Sequence, residues 1–113
     1  MKKVRIAKTI EKWMLRNGFD SDIRIYFNNR CWDYCEGVKT IIIGIKASDY
    51  TPFANDNTIT MTFEGRLYKA LNMHSTYKYI NEFNELDFEG YWFDFGNDWN
   101  LTFYKLDKEG FAR

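Results

Sequence analysis

Residues 31–35 read Cys-Trp-Asp-Tyr-Cys, two thiols four positions apart around an acid and two aromatic rings. Such a pair could form a disulfide, hold a metal or supply a nucleophile. Which of these is open depends on the backbone beneath it. A helix would set both thiols on one face, whereas a strand separates their Cα atoms by roughly 13 Å. A disulfide needs less than about 7 Å.

The single histidine, His74, lies 39 residues beyond Cys35, with no carboxylate or cysteine beside it at a ligand spacing. A structural zinc site wants four Cys or His ligands in close pairs, so the chain predicts no zinc. A small cysteine enzyme, using Cys31 or Cys35 with His74 as base, is an alternative reading, since such pairs meet in space rather than in sequence. Asp20-Ser21-Asp22 opens like a calcium loop but lacks the glycine and closing glutamate at their required positions. Asp94-Phe95-Gly96 spells a kinase triplet without any of the other kinase motifs, and reads here as a strand end followed by a turn glycine. No glycine-rich phosphate loop occurs. These absences predict no cofactor, no metal and no catalytic residues.

Two charged regions remain. Residues 76–113 carry a net charge of −4 and residues 1–75 a net charge of +4, although the whole chain is neutral. Glu82, Glu85, Asp87, Glu89, Asp94 and Asp98 surround Tyr91, Trp92 and Trp99, a combination that suits a protein-binding surface. An acidic surface of this kind can also occupy a basic groove meant for nucleic acid. At the other end, Lys2, Lys3, Arg5, Lys8 and Lys12 could contact phosphates, which makes nucleic-acid binding an alternative. A near-neutral balance, with a pI of about 6.6, argues against that alternative.

The elements that must position these groups follow from periodicity. Ile6, Ile10, Trp13, Met14 and Asn17 mark one face of a helix over residues 4–17, stopped by Asn17-Gly18. Ile23, Ile25 and Phe27 then alternate with Arg24 and Tyr26. Asn28-Asn29 suit a two-residue hairpin turn, which pairs Phe27 with Arg30, Ile25 with Trp32, Ile23 with Tyr34, Tyr26 with Cys31, and Arg24 with Asp33. This register places the two cysteines on a strand, opposite Trp32 and Tyr34 and too far apart to bond.

Lys39–Lys46, with its isoleucines, reads as a buried strand. Residues 48–57 read as a loop with one helical turn. In residues 58–63, Ile59, Met61 and Phe63 point inward and three threonines outward. A short helix follows that buries Leu67, Ala70 and Leu71. A second helical pattern runs from Tyr77 through Ile80, Phe83, Asn84 and Asp87, closed by Gly90. Residues 91–106 form a hairpin around a four-residue loop, Gly96–Trp99.

The stretches FEGRLYKALN (63–72) and GNDWNLTFYKL (96–106) resemble parts of small uncharacterised proteins of Gram-positive bacteria and their phages or conjugative elements. The resemblance covers only these parts and carries over no functional residue. It implies a small accessory protein acting on a host or defence protein, the class that holds inhibitors of CRISPR nucleases and of restriction enzymes.

One domain over residues 1–113 is expected, of the α+β class. A mostly antiparallel sheet of about six strands carries an N-terminal helix and two short helices on one face. Ten Phe, eight Tyr and four Trp supply its core and leave some rings for a binding surface. No apolar stretch follows the basic start and no window reaches 18 apolar residues, so neither a secretory signal nor a membrane span is expected. A cytoplasmic chain with reduced thiols follows, with the Asn100-Leu101-Thr102 sequon unused. The partner expected is a protein, and the chain a monomer or a homodimer formed through edge strands.

Overall fold

A computed structural model describes residues 2–72, 77–88 and 90–105. Its elements are α1 (Lys2–Arg16), β1 (Ile23–Phe27), β2 (Arg30–Cys35), β3 (Val38–Ile43), a single 3-10 turn (Ala47–Asp49), β4 (Thr60–Phe63), α2 (Gly65–Asn72), α3 (Lys78–Asn84), β5 (Tyr91–Asn97) and β6 (Asn100–Lys105). The six strands form one antiparallel sheet in the order β3-β2-β1-β4-β6-β5. The helices lie on one face, so the molecule is the expected α+β fold.

α1 ends in a Schellman motif. Phe19 N–H donates to the Met14 carbonyl and Gly18 N–H to that of Leu15, with Gly18 at φ +78°. Only glycine takes this left-handed position without penalty. The turn lays Phe19 against Trp13, 5.6 Å between ring centroids. Ile6, Ile10, Trp13 and Met14 are fully buried against Ile23, Ile25, Met61 and Phe63 of the sheet. Under α2 and α3, Phe83 meets Trp13 and Phe93 edge to face at 5.1 and 5.0 Å. Edge-to-face packing suits the ring quadrupole, so the aromatic surplus goes first into this core.

The β1–β2 hairpin has the register expected from its alternation: Phe27 pairs with Arg30, Ile25 with Trp32 and Ile23 with Tyr34. Asn28 and Asn29 both have positive φ, the geometry of a type I′ turn. Glu36 and Gly37 repeat that turn between β2 and β3. Cys31 is buried and Cys35 exposed, both as free thiols on the face away from Trp32 and Tyr34.

Four expectations are corrected. The isoleucine run of residues 39–46 is not a buried strand: β3 is the sheet edge, and Val38, Ile41 and Ile43 are 63, 52 and 75% exposed. No strand among the described residues pairs with its outer side, so half of its burial never forms. Of the three threonines expected outward, Thr58 and Thr60 do not face solvent, because residues 51–55 cross over this face and leave both buried, while Thr62 is half-buried on its uncovered part.

The terminal hairpin turns in two residues, Asp98-Trp99, since Asn97 pairs with Asn100. Gly96 is therefore no turn residue but the extra residue of an irregularity inside β5. A Cβ there would stand 2.6 Å from both Phe53 Cβ and Asn100 Oδ1, so glycine is required by close approach. His74 and Glu89 lie outside the described residues.

Candidate functional site

The face of the sheet away from the helices is half covered. Residues 45–57 fold back over it, burying Ile45 and Ala47 against Tyr26 and Cys31. A line of small polar side chains fastens this cover. Asn100 donates from Nδ2 to Thr51 Oγ1 (2.7 Å) and the Pro52 carbonyl (2.8 Å), and accepts from the Asn97 N–H at Oδ1. Thr102 donates to the Phe53 carbonyl, Thr58 to the Phe103 carbonyl, and Asn55 N–H donates to Thr60. Buried polar atoms without such partners would each cost about 1–3 kcal/mol, so the pattern explains why threonine and asparagine occupy buried positions.

The uncovered half forms a groove of about 410 Å³. Its floor is Arg24, Asp33, Cys35 and Thr62, with Tyr50 on one wall, Trp99 on another, and Asp22 and Glu64 at the rim. Arg24 Nε donates to Asp33 Oδ1 at 2.8 Å and its Nη1 to the Tyr26 hydroxyl at 3.1 Å. These contacts hold the guanidinium firmly charged, its pKa raised chiefly by the Tyr26 bond against the opposing effect of burial. Tyr50, 60% exposed, stacks on Tyr26 with centroids 6.3 Å apart and lies 6.0 Å from the Arg24 guanidinium.

Arg24 is matched by Asp33, while Asp22 and Glu64 have no ion-pair partner among the described residues. The groove is thus aromatic-walled with surplus negative charge, suited to a Lys or Arg side chain carrying aliphatic stem and cation together.

The expected acidic-aromatic surface is dispersed. Glu82 turns inward to accept from Trp13 Nε1 at 3.3 Å, and Tyr91 packs against the core. Glu85 and Asp87 are exposed beyond α3. Trp92 and Asp94 share the helix-free face near the β5 edge, where Trp92 stacks on Tyr104 at 5.1 Å and buries an Nε1 with no hydrogen-bond partner among the described residues. Asp98 and Trp99 form the hairpin tip, and of the expected set Trp99 alone lines the groove.

Asp22, Arg24, Tyr50 and Glu64 were not expected as site residues. The strand alternation that put Arg24 and Thr62 off the core face was the one signal pointing here. The loop that brings in Tyr50 left none.

Of the basic group, Arg5, Lys8 and Lys12 are exposed on α1 and continue to exposed Arg16 at helical spacing, while Lys3 is half-buried. Lys8 also faces Glu11, which accepts from Lys39 Nζ at 2.7 Å and from the Tyr34 hydroxyl. The side chain of Lys2 is not described. At Cys31, burial pushes the thiol up to about 12 and keeps it protonated, whereas a nucleophile needs the thiolate. Among the described residues no group of three or more His, Cys, Asp or Glu is placed to hold a metal, and no helix is long and apolar enough to cross a membrane.

No family model, curated protein or solved structure matches the chain.

Proposed function

We propose that this chain is a non-enzymatic, protein-binding accessory domain whose groove receives a basic segment of its partner. The observation that carries this reading is the groove itself: exposed Tyr50 and half-buried Trp99 as walls, with exposed Asp22 and Glu64 at the rim and without an ion-pair partner among the described residues. Accessible aromatic rings beside carboxylates can hold an arginine or lysine by cation–π contact and charge complementarity. In its particular form, the partner is a nucleic-acid-handling defence enzyme whose basic groove supplies that segment, as the resemblance to phage and mobile-element proteins implies.

The test has two arms. In the first, a lysine- and arginine-rich peptide is titrated while chemical shifts are followed for the wild type, Trp99→Ala and Glu64→Lys. Shifts should centre on Arg24, Tyr50 and Trp99, and affinity should fall at least tenfold in both variants with little change in urea midpoint. In the second, a panel of RNA-guided nucleases and restriction endonucleases is assayed for DNA cleavage with and without the protein. Binding that survives both substitutions sinks the groove reading; an uninhibited panel removes the defence-enzyme form of it.

The stripe formed by Arg5, Lys8, Lys12 and Arg16 supports a second reading, phosphate contact by α1. It requires retention on DNA or RNA that weakens steeply with salt and disappears when these side chains are neutralised.

A further inference from the structure

β3 offers a second surface, independent of the groove. Its turn with β2 has two loop residues, so the flanking pair Cys35 and Val38 exchanges both backbone hydrogen bonds. Alternation then assigns the N–H and C=O groups of Val38, Thr40 and Ile42 to β2. Gly44, of the same parity, does donate its N–H to the Asn29 carbonyl across that pair. The groups of Lys39, Ile41 and Ile43 therefore point away from the sheet, and no described strand receives them.

Natural sheets blunt such an edge with a proline, a bulge or an outward lysine. β3 has neither of the first two, and its lysine is turned inward. Lys39 Nζ is 2.7 Å from Glu11 Oε2 and 3.6 Å from the centre of the Trp32 ring. What stands at the edge instead is Ile41 and Ile43, both more than half exposed.

We infer that this edge pairs antiparallel with β3 of a second copy, joining two six-stranded sheets into one of twelve. The three outward residues are symmetric about Ile41, which is what a two-fold contact requires. Centred there, Ile41 exchanges both hydrogen bonds with Ile41 of the second copy, and Lys39 does so with Ile43. Every outward donor and acceptor of the three is then satisfied. Charge permits it as well. Lys39 is already neutralised by Glu11 and lies opposite an isoleucine rather than another lysine, and the whole chain has no net charge to repel its copy. A pair of six-residue strands is a small contact against the ~1,200 Å² at which specific interfaces begin, so the dimer is expected to be concentration-dependent.

Sedimentation of the full chain from ~1 µM to ~1 mM should show a monomer–dimer equilibrium. Ile41→Lys sets two like charges on the two-fold axis and should weaken dimerisation at least tenfold. Ile41→Pro removes an N–H that β2 does not use, as proline at an edge allows, and should act the same way. Circular dichroism and urea midpoints of the monomers verify that both variants fold. A wild type that stays monomeric throughout overturns the proposal and leaves a foreign extended strand as the occupant of this edge. A dimer indifferent to both variants overturns it too, by placing the contact elsewhere. Neither result bears on the groove, whose variants lie on other strands and loops.

Discussion

At one edge of the sheet, β3 runs regularly with Ile41 and Ile43 exposed and its outward backbone groups met by no other described strand. At the other, β5 is broken by the irregularity at Gly96, bears exposed Asp94, and sends Tyr91, Phe93 and Phe95 under α2 and α3. Both are edge strands of one sheet with the same hydrogen-bonding groups on offer. Their roles differ because β5 is held by four aromatic side chains, and β3 mainly by its ladder with β2, with Ile42 against the small Tyr26–Cys31 cluster on one face and Lys39 tied to Glu11 on the other. An edge that is a pillar of the core can be irregular without consequence for association. A regular edge outside the core is free to be used.

Three measurements would break or sharpen this contrast. The largest effect is expected at Phe93, whose ring lies 5.0 to 5.9 Å from those of Phe83, Phe88, Phe95 and Phe103. Phe93→Ala should lower stability by about 2–4 kcal/mol in urea denaturation, slightly less than the roughly 3–5 kcal/mol of fully buried aromatic truncations because Phe93 is half-buried. Ile43→Thr on β3 should stay within about 0.5 kcal/mol. Equal losses at the two edges would erase the distinction.

Next comes the β5 irregularity. Gly96→Ala forces a Cβ to within 2.6 Å of Phe53 and Asn100, and should cost about 1–3 kcal/mol by overpacking. It should also loosen residues 51–55, seen as faster amide exchange there. An unaltered exchange pattern would mean that the loop is not held through this contact.

The smallest effect concerns the tie that holds β3 to the helix. Burial alone would raise the Glu11 pKa, but hydrogen bonds from Lys39 and Tyr34, with the charges of Lys39 and Lys8, bring it below the ordinary 4.5. A depressed carboxylate stabilises the fold above its unfolded pKa, and that contribution is lost as pH falls through the folded value. Glu11→Gln should therefore be less stable than the wild type at neutral pH, by roughly 0.5–1 kcal/mol after screening by solvent. The gap should close as pH falls from 4.5 through the lowered value. A gap independent of pH would assign the effect to packing rather than charge.

How far the sequence showed this arrangement can be traced residue by residue. The β1–β2 register was legible because three local signals coincide: alternation, an Asn-Asn turn, and Arg24 opposite Asp33. The isoleucines of β3 were misread because an apolar run reports what a strand would gain by burial, and only its neighbours in space decide whether it is buried. Thr58 and Thr60 look like a solvent face, yet their cover comes from residues 51–55 and from contacts with Thr102 and Phe103, more than forty positions away. The loop of the last hairpin was read as four residues because a strand that continues through Gly96 by an extra residue leaves no periodic trace. Of the groove, Trp99 was marked by its type and the Arg24–Asp33 pair by register. Tyr50, Asp22 and Glu64 depend on where two loops and a hairpin tip converge, which local pattern does not encode.

The burial of Asn100 bears on how the protein is made. Its side-chain amide is fully enclosed and committed to Thr51 and Pro52, yet it begins the only Asn-X-Thr acceptor sequence formed by Asn100, Leu101 and Thr102. A sugar attached there would displace the 51–55 cover, so glycan and native fold exclude one another. Expression through a eukaryotic secretory route would divide the product into unmodified native chains and glycosylated chains unable to close, and Asn100→Asp would not rescue it, since a carboxylate cannot donate to Thr51 and Pro52. Replacing Thr102, the third residue of that sequence, with serine would leave it still recognised; valine would silence it at the loss of the bond to Phe53. A bacterial host avoids the choice.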